Sequence, residues 1–71
     1  MEMETVVKAR YNTDILRRER LKLGLTMSEL ARRIGVTPPI VSRVESGAVQ
    51  SPKTIAKIAM ELRVSLEELL R

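Results

Sequence analysis

Between Met27 and Ser46, in the stretch MSELARRIGVTPPIVSRVES, apolar residues recur at helical spacing. Leu30, Ala31 and Ile34 fall on one face, Gly35 breaks the pattern, and Val41 and Val44 resume it. The pattern predicts two short helices joined by a tight turn. Helices cross closely only where a small residue sits at the contact. Ala31 is that residue, and Val41 on the second helix is placed to pack against it. Gly35 marks the reversal, because a left-handed backbone costs glycine almost nothing.

The flanking sequence continues the helical pattern. A first helix is expected after Asn12 or Thr13, either of which can cap it, with Asp14 well placed in its first turn. Ile15, Leu16, Leu21 and Leu23 supply its apolar side, Gly24 ends it, and Leu25 enters the core. Thr26 followed three residues later by Glu29 reads as a capping box that opens the next helix. The helix after Gly35 runs from about Pro38 to Ser46. Thr37 is its expected cap and Pro38 suits the first position, while Pro39 can shift the start by a residue. Ser51-Pro52 repeats the cap-plus-proline signal, and Ile55, Ile58, Ala59 and Leu62 form an apolar stripe. Val64 is expected to bury the next connection, and Ser65 to Glu68 forms a second capping box before Leu66, Leu69 and Leu70. The expected fold is all-α, a compact five-helix bundle spanning residues 12–71.

Residues 1–11 stand apart as an N-terminal arm. Val7, Ala9 and Tyr11 alternate with Val6, Lys8 and Arg10 in a strand-like pattern. A frayed terminus is the expectation. A basic arm reaching phosphate through Lys8 and Arg10, and a strand exchanged across a dimer, both stay open.

Composition narrows the chemistry. Seventy-one residues leave little room for a core, and Tyr11 is the only aromatic, so the interior must be aliphatic. The chain has no cysteine and no histidine, which removes disulfides, thiolate or imidazole metal sites and imidazole catalysis, so no metal or cofactor is expected. A lone tyrosine also argues against base-stacking platforms for single strands. No nucleophile–base pair or phosphate-cradling glycine loop accompanies the adjacent carboxylates Glu67 and Glu68, so an enzyme is not expected. No apolar run reaches membrane-spanning length and Met1-Glu2-Met3-Glu4 is no signal peptide, which predicts a cytoplasmic protein without a membrane partner.

The net charge of +4 is unevenly spread. From residue 8 to 43, nine cations (Lys8, Arg10, Arg17, Arg18, Arg20, Lys22, Arg32, Arg33 and Arg43) face three anions (Asp14, Glu19 and Glu29). From Val44 onward, four of each sign balance. The positive half is the one that holds the paired helices, and this combination favours a polyanionic partner.

Small residue, turn glycine and β-branched partner together describe a helix-turn-helix. With them, LGLTMSELARRIGVT, then IVSRVESG and VSLEELL, resemble the DNA-binding domain shared by lambdoid phage repressors, Cro proteins and the Xre family of small bacterial regulators, over roughly Asn12 to Leu70. The resemblance implies that the helix from Pro38 to Ser46 enters the major groove of double-stranded DNA, the docking described for phage repressors of this kind. It further implies that Pro38, Pro39, Ser42 and Arg43 face bases. Arg43 can grip guanine O6 and N7 in two parallel bonds, with a phosphate or solvated role as the alternative. Family members often carry glutamine or another polar residue at the positions of Pro38 and Pro39, and glutamine at Met27. Proline has no side-chain or backbone donor, so those rings, and Ile40, which reads as too exposed for core, are expected to meet thymine methyl groups. Recognition then leans on Arg43, methyl contacts and DNA shape. Thr26, Met27 through its amide, Thr37, Ser46, Arg20 and Lys53 are expected along the phosphate backbone, with Arg32 and Arg33 adding charge at longer range. Arg20 and Glu45 look like the family's internal ion pair between the first and third helices.

One such motif reads few base pairs, so a homodimer on two half-sites is expected, with Leu66, Leu69, Leu70 and Val49 as its interface. Some of these leucines must instead close the monomer's core. The predicted function is a transcriptional regulator, most simply a repressor. The alternative is an antitoxin-like interaction module that binds another protein and uses DNA secondarily.

Overall fold

Among the residues described by the computed structural model, 11–49 and 51–70, each helix starts at a hydroxyl residue. The helices are α1 (Asp14–Lys22), α2 (Met27–Ile34), α3 (Pro38–Ser46), α4 (Pro52–Leu62) and α5 (Leu66–Leu69), and their caps are Thr13, Thr26, Thr37, Ser51 and Ser65. A hydroxyl oxygen can accept one of the first-turn N–H groups that a helix leaves without a partner. At α2 the exchange is reciprocal: the Glu29 N–H donates to Thr26 Oγ1 at 3.0 Å, and the Thr26 N–H donates to Glu29 Oε1 at 2.8 Å. Ser65 and Glu68 repeat it at 3.2 and 2.9 Å, and Ser51 accepts the Thr54 N–H at 3.4 Å. Thr13 and Thr37 make no side-chain cap bond. The Thr13 hydroxyl instead donates to the Glu45 carbonyl at 3.3 Å, crossing from α1 to α3.

Helix ends follow one rule at three of the connections. Gly24, Gly35 and Arg63 each take a left-handed backbone (φ 72°, 77° and 59°). In each case the next residue, Leu25, Val36 or Val64, donates its N–H five residues back, to Arg20, Ala31 and Ala59 at 3.1, 3.0 and 2.9 Å. That closing bond turns an apolar side chain inward, and the hydroxyl after it starts the next helix. Arg63 does at a cost what the two glycines do freely.

Twelve apolar residues form the buried cluster, with Leu16, Leu30, Val41, Val44, Ile55, Ile58 and Leu69 fully enclosed. Ala31 and Val41 both lie in it, as a close crossing of α2 and α3 requires. α4 lays Ile55, Ile58, Ala59 and Leu62 against α1 and α2, and α1 also packs on α3. The Asn12 N–H donates to the Leu69 carbonyl at 2.7 Å and ties α5 to the start of α1. The arm expected at residues 1–11, with its strand pattern and its Lys8 and Arg10 contacts, lies outside the described residues except for Tyr11, which is half-buried against the core.

The first helix corrects one expectation. Leu21 and Leu23 are 51% and 57% exposed, and the inward face of α1 is Thr13, Leu16 and Arg20. These sit at i, i+3 and i+7, and the last of them is filled by Arg20 through the internal ion pair with Glu45 that the family resemblance implied. Arg20 can be buried because each of its three nitrogens donates a hydrogen bond. Its Nε and Nη2 donate to the two Glu45 carboxylate oxygens at 2.6 and 3.0 Å, and Nη1 donates to the Leu25 carbonyl at 2.8 Å. Hydrogen bonding to the carboxylate raises the arginine's pKa further above its ordinary value. No buried side-chain nitrogen or oxygen among the described residues lacks a partner.

Truncating either member leaves the other charge inside the protein without a counter-ion. Glu45→Ala is therefore expected to lower the unfolding free energy in urea by about 3–5 kcal/mol, and an Arg20→Met, Glu45→Leu double variant to lose much less. A loss from Glu45→Ala no larger than that of a surface bridge would contradict the buried geometry. At the end of α4, Arg63→Gly is expected to raise stability by about 0.5–1 kcal/mol by releasing left-handed strain, net of the added freedom of the unfolded chain. A lowered denaturation midpoint would count against it.

Candidate nucleic-acid interface

α3 is held from behind and open in front. Val41, Val44 and Glu45 are its buried residues, while Pro38, Pro39, Ser42, Arg43 and Ser46 are exposed along the other side. These outward positions sit at i, i+1, i+4, i+5 and i+8, which on a helix is one continuous strip. Glu45, the one acidic residue of α3, is turned inward and neutralised by Arg20, so the strip carries a positive charge and no negative one. Ile40 departs from the expected placement: it is half-buried and packs against the core. The helix begins at Pro38 without the slip that Pro39 allowed, since neither of the first two positions needs an N–H.

Among the described residues no carboxylate lies within ion-pair distance of Arg17, Arg32, Arg43, Lys53, Lys57 or Arg63. The other cations among the described residues are committed. Arg18 pairs with Asp14 at 3.4 Å, Lys22 with Glu19 at 3.2 Å, and Arg33 reaches from α2 to Glu61 on α4 at 3.3 Å. Arg20, expected to double as a phosphate contact, has each of its three nitrogens bonded within the protein and is enclosed, which assigns it to the scaffold.

A shallow notch of about 180 Å³ lies where α1, the start of α2 and α3 meet, lined by Arg17, Met27, Ser42, Glu45 and Ser46. Met27 and Ser28 occupy the first turn of α2, where backbone N–H groups have no intrahelical acceptor. Thr26 Oγ1 accepts from the Glu29 N–H, and its own proton is directed to the Glu29 carboxylate. Glu29 is drawn to the same helix end, and its bonds to the Thr26 backbone and hydroxyl hold its pKa below the ordinary carboxylate value. Ser46, expected on phosphate, spends its proton on the Arg43 carbonyl at 3.1 Å and accepts the Ala48 N–H at 3.3 Å, so it finishes α3. Thr37 and Lys53 are exposed beside their helix starts. Sequence reasoning did not single out Arg17. The available signal was its spacing, one turn before the buried Arg20 and so on the side of α1 that meets α3.

The expected association residues separate. Leu69 is fully buried and belongs to the core, which corrects its assignment to an interface, whereas Leu66 and Leu70 are 49% and 55% exposed on α5 and Val49 is at the surface of the α3–α4 loop. No group of three or more His, Cys, Asp or Glu side chains among the described residues is placed to hold a metal ion. No helix among them is long and apolar enough to cross a membrane.

No solved structure matches the chain. A family model described as helix-turn-helix matches residues 16–69, from the first buried leucine of α1 to the buried leucine of α5, and so takes in the crossed pair α2–α3 with its scaffold. The chain belongs to the helix-turn-helix family of DNA-binding transcription regulators, of the type found in Cro, phage repressors and the Xre proteins.

Proposed function

We propose that the protein is a sequence-specific regulator, a repressor that binds a pseudo-palindromic site in double-stranded DNA as a homodimer, with α3 in the major groove. The observation that carries this reading is the outward strip of α3, where Arg43 stands exposed and without a protein carboxylate while Val41, Val44 and Glu45 hold the helix from behind. A guanidinium presented in this way can make two parallel bonds to guanine O6 and N7. Pro38, Pro39 and Ser42 complete the base-facing strip, and half-buried Ile40 adds an apolar edge beside it.

Phosphate contacts fix register and supply the salt-sensitive part of the affinity. The notch at the start of α2 suits one phosphate, with the Met27 amide and the Arg17 guanidinium as donors and Thr26 beside them at the cap. Thr37 and Lys53 extend the track along the backbone, and Arg32 adds charge at longer range. Occupying a stretch of duplex excludes other proteins from it, which makes repression the simplest regulatory outcome. Nothing in this scheme calls for catalysis or a cofactor.

Two half-sites one helical turn apart require a pair of chains. Leu66, Leu70 and Val49 are apolar and exposed without a core role, so they are the proposed dimer surface. With L66S/L70S, sedimentation is expected to change from two chains to one while helicity is retained. A wild-type chain that sediments as a monomer and binds its site singly would contradict the homodimer.

Selection of sites from a random duplex library at fixed salt tests the reading directly. The wild type is expected to enrich a symmetric sequence containing guanine, and Arg43→Ala to weaken that site by roughly 1–3 kcal/mol and to relax preference at one base pair. An equal loss on every sequence would make Arg43 a phosphate contact. Arg17→Ala is expected to weaken all duplexes alike and to reduce the slope of log affinity against log salt by about one. An unchanged slope would remove Arg17 from the phosphate track.

A further inference from the structure

The leading end of α3 offers a base edge almost nothing to hydrogen-bond. Pro38 and Pro39, the first two residues, have no N–H, and the N–H groups of Ile40 and Val41 both point back to the Thr37 carbonyl at 3.0 and 3.4 Å. What remains exposed is two pyrrolidine rings and the Thr37 hydroxyl, which makes no cap bond. α2 starts differently, with first-turn amides at Met27 and Ser28 and a capping box behind them. The family's two paired helices therefore divide here into one that can bind an anion at its start and one that presents hydrocarbon.

In the major groove the apolar group that a base pair exposes is the methyl at C5 of a pyrimidine. Resting on the DNA-binding mode proposed above, we infer that the Pro38–Pro39 end of α3 recognises this C5-methyl group itself and not thymine as a base, so that 5-methylcytosine satisfies it equally. The ring atoms cannot distinguish thymine O4 from cytosine N4. The polar groups beside them, the Thr37 and Ser42 hydroxyls, donate to O4 or accept from an N4 amine with equal ease. Arg43, one turn further along the same exposed strip, supplies the guanine contact that fixes register, leaving the proline end to sense the methyl. Methylation of cytosine at that position strengthens the site.

The test uses the wild-type chain and the duplex selected from the random library, read by fluorescence anisotropy at fixed salt. Each thymine of the half-site is compared singly with uracil, and the same position is then filled with cytosine and with 5-methylcytosine opposite guanine. Within each pair the duplexes differ by one methyl group. At the position facing the prolines, removing the methyl is expected to weaken binding about fourfold in both pairs, the factor corresponding to about 0.8 kcal/mol per buried carbon. Pro38→Ser/Pro39→Ser, with helicity checked by circular dichroism, is expected to abolish both differences while wild-type Arg43 keeps the guanine preference. The inference fails if no thymine of the half-site responds to uracil, if methylcytosine binds no better than cytosine, or if the differences survive loss of the prolines. Enrichment of a site indifferent to methyl groups defeats this inference alone, whereas failure to enrich any duplex defeats the proposed function and this inference with it.

Discussion

The position of α3 depends on a guanidinium and a carboxylate taken out of water together. Arg20 on α1 and Glu45 on α3 meet through two hydrogen bonds, and a third joins Arg20 to the Leu25 carbonyl in the α1–α2 turn. The Thr13 hydroxyl adds a fourth link, from α1 to the Glu45 carbonyl. Desolvating two charges costs several kcal/mol per ion, and their attraction restores this only with good geometry, so such a pair is a poor source of net stability. It is a strong source of definition. Apolar contacts tolerate a helix rolling by a few degrees, but a fork of donors facing a fork of acceptors does not. Because the pair reaches the α1–α2 turn as well, it sets α1, the entry to α2 and the roll of α3 at once. Which residues of α3 face solvent follows from it.

A second constraint works through chain geometry. Gly24-Leu25-Thr26, Gly35-Val36-Thr37 and Arg63-Val64-Ser65 each combine a left-handed residue, an inward apolar residue and a hydroxyl cap. Compressing the stop of one helix and the start of the next into about one turn of chain lets a small domain devote most of its length to helices with one buried side. A chain this short encloses only a modest aliphatic core, so loops that ordered residues without burying anything would be unaffordable.

Much of this was legible in the sequence, and the misreadings have a common origin. Ile55, Ile58, Ala59 and Leu62 repeat at helical spacing, and the capping pairs Thr26–Glu29 and Ser65–Glu68 are local, so pattern alone located α2, α4 and α5. Leu21 and Leu23 misled because hydropathy ranks any leucine above any arginine, whereas the inward place of Arg20 was legible only through the family resemblance that pairs it with Glu45, 25 positions away. Leu66, Leu69 and Leu70 were indistinguishable because a helix of four residues has no period to read; the bond from Asn12 to the Leu69 carbonyl and enclosure by the core separate them. Ser46 and Thr37 show the same limit in smaller form. Each is a hydroxyl at a helix terminus, and only coordinates reveal that one is consumed by the Arg43 carbonyl while the other caps nothing.

The site's electrostatics follow from where the acids go. Asp14 and Glu19 are held by neighbouring cations on α1, Glu61 by Arg33, and Glu45 by Arg20 inside the protein. Glu29, Glu67 and Glu68 pair with no cation among the described residues, and Glu29 matters to the site because it sits at the helix start whose amides line up for an anion. Its carboxylate is favoured there by the helix dipole, which would equally favour a phosphate. The capping box resolves the competition by geometry: Glu29 folds back onto the Thr26 N–H and leaves the Met27 and Ser28 amides forward of it. A carboxylate that caps from behind keeps α2 intact without filling the place of the ligand. Pairing of acids with cations on α1, α3 and α4, with one acid turned backward on α2, lets a chain of modest net charge present a face that is positive and largely free of its own counter-ions.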